Sequence, residues 1–144
     1  MWHMSGIHRD VYLMAVPKTY IRDHYITANL KPLSYNSGSM QVDFLVANPQ
    51  GEKYNKTIKA TLIGPDGQEV TSQQTNVAAT GTEEAQASVT FEGLSNLQLW
   101  SAETPTLYTV QVSLLDAESG VEEEAFSTKY GFRHVAIRDR KSVV

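Results

Sequence analysis

Tyr108, Val110, Val112 and Leu114 alternate strictly with polar Thr109, Gln111 and Ser113. In an extended chain successive side chains point to opposite faces, so this run is a strand with one buried and one wet face. The same period of two recurs at Met40, Val42, Phe44 and Val46, at Ile58, Ala60 and Leu62, and at Ala87, Val89 and Phe91. It returns at Phe126, Thr128, Tyr130 and Phe132. No amphipathic helix longer than about two turns is visible. A set of half-apolar strands must bury its dry faces against a second sheet, which makes the chain an all-β sandwich.

Turn signals divide the pattern into seven or more short strands. Residues 11–16 read as a short strand stopped by Pro17, and residues 20–30 as a longer one whose apolar content is Ile21, Tyr25 and Ile26. Residues 32–39 form a loop, and Asn48-Pro49-Gln50-Gly51 turns the chain. Pro65-Asp66-Gly67 is the strongest turn signal: proline presets φ and glycine takes the left-handed position after Asp66. It predicts a hairpin whose return strand, residues 69–76, is polar enough for a sheet edge. Residues 78–84 and 93–105 are connections, 116–120 a turn, and 135–137 a strand leaving the domain. Seven short strands punctuated in this way fit an immunoglobulin-like sandwich of two antiparallel sheets.

The length of 144 residues suits one such domain. A net charge of −4 provides no electrostatic basis for binding nucleic acid or an anionic membrane, and no apolar run approaches the roughly 18 residues of a membrane span. The absence of cysteine removes disulfides, zinc–thiolate sites and cysteine nucleophiles. The sandwich must therefore hold by packing alone.

The opening segment is apolar and aromatic, where the first residues of a domain are usually polar and frayed. Ser5-Gly6-Ile7-His8-Arg9-Asp10-Val11 resembles the S/G-G-I-x-R-D-V segment of glycoside hydrolase family 2. Three further segments match that family in order. Pro17-Lys18-Thr19-Tyr20-Ile21-Arg22-Asp23 is similar to its lead into the first sandwich strand. Residues 99–108 are similar to its L-W-S-x-E-x-P-x-L-Y loop, and Gly131-Phe132-Arg133-His134-Val135 to its closing G-F-R-x-V. Trp2-His3-Met4-Ser5-Gly6-Ile7 resembles the M-W-R-M-S-G-I of the β-galactosidase branch, with His3 in place of the usual arginine.

The resemblance implies a domain plan: residues 1–14 as the tail of a preceding sugar-binding jelly roll, 15–137 as the sandwich, and 138–144 as a linker toward a catalytic barrel. It implies a non-catalytic spacer within a retaining β-glycosidase, with the jelly roll and barrel of the same polypeptide as its partners. Whether the parent is a homo-oligomer, and whether it is cytoplasmic or periplasmic, stays open. In this family both catalytic glutamates lie on the barrel, so no residue here inherits a catalytic, substrate-binding, cofactor or metal role. An acidic residue that helps bind sugar and a monovalent cation precedes the Met-Trp pair in the β-galactosidase branch, one position ahead of Met1. Two rival readings are a carbohydrate-binding module, with Trp2, Trp100 or the tyrosines as platform, and a free-standing adhesion-type sandwich.

The residues themselves agree with the absence of chemistry. Retaining glycosidases use two carboxyl groups about 5 Å apart. The carboxylate runs are Glu83-Glu84 and Glu122-Glu123-Glu124, whose neighbours on a strand point apart; both read as solvated charge. Of the histidines, His3, His8, His24 and His134, the first two lie five apart, which sends them to opposite faces of a strand and chelates metal poorly. Contact with the jelly roll suits both better. Arg9 and Asp10 fit an inter-domain ion pair or an ordinary surface pair equally well. Trp2 reads as an interface aromatic, part of a sticky strip running to Leu13. Trp100 is expected to plug one end of the sandwich, and Tyr108 to act as the tyrosine of a tyrosine corner, its hydroxyl tying down the preceding loop. No serine has a histidine and an aspartate placed to activate it.

Overall fold

The computed structural model describes residue 6, residues 9–33 and residues 35–134. Seven strands run in chain order: β1 (Tyr20–Leu30), β2 (Gly38–Ala47), β3 (Tyr54–Ile63), β4 (Glu69–Ala79), β5 (Ala85–Leu94), β6 (Tyr108–Asp116) and β7 (Glu122–Tyr130). They form a three-stranded sheet in the order β1-β2-β5 and a four-stranded sheet in the order β4-β3-β6-β7, with every pairing antiparallel.

The Pro65-Asp66-Gly67 turn accounts for the second sheet having four strands. Gly67 adopts φ +80°, and its N–H donates to the Gly64 carbonyl at 3.0 Å. The Gly64 N–H returns to the Gln68 carbonyl at 2.8 Å. So tight a hairpin keeps β4 beside β3. β4 is therefore an edge strand of the β3 sheet, whereas in a constant-type immunoglobulin domain the fourth strand pairs with the fifth in the first sheet.

The alternating residues meet in one core. Met40, Val42, Phe44, Val46, Val89 and Phe91 face Ile58, Ala60, Leu62, Val110, Val112 and Leu114, all buried. At roughly 1.5–3 kcal/mol per large side chain removed from water, this layer provides most of the driving force. Phe132, beyond the end of β7, is fully buried and closes one end. It makes edge-to-face contacts with Tyr108 at 4.9 Å and Tyr130 at 5.3 Å.

Register shifts interrupt four of the ladders, β1–β2, β2–β5, β3–β4 and β6–β7, and those in β1 and β7 redirect key side chains. In β1, Ile21 pairs with Val46 but Asp23 with Leu45, leaving Arg22 as an extra residue. Ile21 and Ile26 consequently turn toward the core while Tyr25 points outward, 71% exposed. In β7, Leu114 pairs with Glu124 and Leu115 with Glu122, so Glu123 is the extra residue. β1 and β7 face each other across the sandwich and run in the same direction: Ile21 meets Glu124, and His24 meets Phe126.

Residues 11–16 are not the expected strand. They carry no strand pairing, and Val11, Tyr12, Leu13 and Met14 are 73–100% exposed. An apolar run without a neighbouring strand among the described residues has nothing to complete its ladder. The strand expected at residues 135–137 and the linker at 138–144 lie outside the described residues, as do Trp2, His3 and His8.

Candidate functional site

The carboxylate runs are tied into structural contacts rather than converging on a common point. Glu84 pairs with Arg22. Glu124 accepts the backbone N–H of Ile21 at 2.9 Å, joining β7 to β1 across the sandwich. Glu123 accepts from Lys56 Nζ at 2.8 Å. The reading of these runs as solvated charge holds for the exposed Glu84, whose pair with Arg22 lies at the surface, and is corrected for Glu123 and Glu124. The bulge frees Glu123 to reach Lys56, and Glu124 is half-buried.

Lys56 is the one buried cation among the described residues, placed in phase with Tyr54, Ile58, Ala60 and Leu62 on the inner face of β3. Its ammonium also donates to Asp116 at 3.1 Å. Burial works to lower its pKa, but the hydrogen bonds to Glu123 and Asp116 outweigh it, and the net shift is upward. The backbone N–H and hydroxyl of Ser119, aided by Lys56, hold the Asp116 carboxyl well below the ordinary carboxylate range. Beside this cluster the buried Tyr54 hydroxyl has no hydrogen-bond partner, and burial raises its pKa. One ammonium thus bridges two carboxylates, tying β3 to β6 and β7, and the cluster keeps a net negative charge. Lys56 went unnoticed in the sequence, although a lysine in register with three apolar core residues is itself a sign of a buried ion pair.

The aromatic residues divide by role. The Tyr108 hydroxyl accepts the Gln98 backbone N–H at 3.0 Å, a tyrosine corner as expected. Trp100 is half-buried, lying against Gly131 with the Arg133 guanidinium 5.6 Å from its ring centre. Its backbone N–H donates to the Phe132 carbonyl at 2.8 Å. The end plug is thus Phe132, and Trp100 covers it from the side. His24 packs on Phe126, and His134 stacks on Tyr35 at 4.4 Å. Arg9 and Asp10 are exposed and join no ion pair among the described residues. No group of three or more metal-ligating side chains occurs among the described residues.

A concavity of about 630 Å³ lies on the β1-β2-β5 sheet. Its floor carries two cross-strand rows, Asp23–Leu45–Gln86 and Tyr25–Asp43–Ser88. Thr75 and Asn76 of β4 line it as well. Sequence reasoning missed it because Tyr25 was counted among the apolar residues of its strand.

A family model described as "Glycosyl hydrolases family 2" matches residues 19–133. The chain belongs to that family. Relatives include a β-galactosidase of Leuconostoc mesenteroides, 34% identical over 96% of this chain and 13% of its own length. A β-galactosidase of Photobacterium profundum is also 34% identical, again over 96% of this chain and 13% of itself. The chain thus spans about an eighth of these relatives. Among solved structures, Bacteroides uniformis β-glucuronidase 2 superposes with a TM-score of 0.75 at 21% identity, over 83% of this chain and 15% of that one. That likeness shows that the two share the same sandwich fold.

Proposed function

We propose that this chain is a non-catalytic spacer domain of a larger retaining β-glycosidase, of β-galactosidase type. In this reading it holds a sugar-binding domain and a catalytic domain in register. The carrying observation is the asymmetry of the match: relatives named β-galactosidase align with 96% of this chain but only 12–14% of their own length. The fate of the carboxylates supports it, since Glu123 and Glu124 each serve a structural contact and Glu84 pairs with Arg22 at the surface. Residues 1–14 would then belong to the preceding domain, 15–137 to the sandwich and 138–144 to the linker, with no cofactor bound by this segment. The exposed strip from Val11 to Met14 suits a surface covered by a neighbouring domain.

The test is hydrolysis of a chromogenic β-galactoside. The isolated chain should release no chromophore, whereas the same chain joined to its flanking coding sequence should. Cleavage by the pure chain would refute the spacer reading.

A further inference from the structure

We propose that the outer face of the β1-β2-β5 sheet is a binding surface for a neutral, hydroxyl-rich glycan, stacked on Tyr25 and gripped by Asp43. The proposal goes beyond the spacer role and does not depend on it. Tyr25 lines the concavity of about 630 Å³ and is 71% exposed as a residue. An aromatic ring held on a rigid sheet offers its face to the apolar C–H side of a sugar at little entropic cost. The register places Asp43 directly beside Tyr25 and Ser88 beyond it, with Asp23, Leu45 and Gln86 in the adjacent row. Gln41 donates to one carboxylate oxygen of Asp43 at 2.7 Å, which fixes the carboxylate and leaves its second oxygen to accept from a ligand. Carboxylate, amide and hydroxyl groups within two rows match the donors and acceptors of vicinal sugar hydroxyls.

Charge narrows the class. The rows carry two carboxylates and no cation, and Arg22, next along β1, is committed to Glu84. His24 turns the other way, onto Phe126. Phosphorylated, sulfated and uronic-acid ligands are therefore repelled, and a neutral sugar is not. Two carboxylates alone fall short of a metal site, and no group of three ligating side chains forms among the described residues.

The experiment is an amide-resolved NMR titration of the chain with lactose, with a β-1,4-linked galactotetraose, and separately with calcium chloride. An open site with one stacking ring should bind sugar with Kd near ~1 mM. Saturable shifts should centre on Tyr25, Asp43, Gln86 and Ser88. Tyr25→Ala should abolish them, and Asp43→Asn, nearly isosteric, should weaken binding at least about fivefold with the spectrum otherwise unchanged. Absence of saturable shifts with both sugars overturns the proposal. So do shifts centred on Trp100, shifts that survive both substitutions, or shifts at the same amides produced by calcium alone.

Discussion

Replacing Tyr108 with Phe removes a single hydroxyl and leaves the packing in place. The ring stays buried and keeps its edge-to-face contact with Phe132. What is lost is the acceptor 3.0 Å from the Gln98 N–H, which holds the 95–107 connection against the sandwich. A net hydrogen bond contributes about 1 kcal/mol, and a partly buried donor left without a partner adds to that, so the expected loss is about 1–2 kcal/mol. With a urea slope of about 2 kcal/mol/M, the unfolding midpoint should fall by about 0.5–1 M with the slope unchanged. Hydrogen exchange at the Gln98 amide should accelerate while amides in the middle of β3 and β6 follow only the global change. A midpoint within about 0.2 M of the parent, or a Gln98 amide that stays protected, would show that the hydroxyl is not what fastens the loop.

Gly131→Ala places a methyl 2.8–3.0 Å from Cβ, Cγ and Cδ1 of Trp100, atoms too close to the backbone to swing aside. It should cost about 1–3 kcal/mol and alter the near-UV circular dichroism of the tryptophan. Lys56→Met leaves Asp116 and Glu123 facing each other without their cation. It should lower the thermal midpoint at neutral pH and do so less as the carboxylates protonate. The depressed Asp116 pKa means the unfolded chain takes up that proton first. Its stabilising contribution is thus present above the unfolded value near ~3.9 and is lost as pH falls through the folded one; acid titration of the parent, compared with Asp116→Asn, checks this. Glu124→Gln weakens a charge-assisted acceptor for the Ile21 N–H at 2.9 Å, and should speed exchange of that amide before any other in β1.

The faces of β2, β3 and β6 were legible because a period of two leaves no alternative once one face is dry. Tyr108 was legible for the same reason: a tyrosine at the head of the clearest strand has one buried side and one place for its hydroxyl to go. The bulges were not legible. Strict alternation would place Ile21 and Tyr25 on one face; the extra residue Arg22 sends one inward and the other out, and only the register with β2 reveals it. The extra residue Glu123 likewise turned an apparent run of solvated charge into two structural contacts. Residues 11–16 were misread because apolar content signals a strand whether or not a partner strand is there to pair with it. As for the candidate site, the concavity on the outer sheet face was not legible, because it depends on which residues of β1, β2 and β5 the register sets side by side.

Because β1 and β7 run side by side in the same direction, the chain enters at one end of the sandwich and departs at the other, separated by nine or so residues of strand, or about 30 Å. A pull on the two termini therefore acts along the strands. It loads the β1–β2 and β6–β7 ladders in shear, so many hydrogen bonds must fail together instead of unzipping one at a time. A domain loaded in this way should resist stretching better than one peeled strand by strand, and pulling on the two ends of the sandwich by force spectroscopy would read the difference.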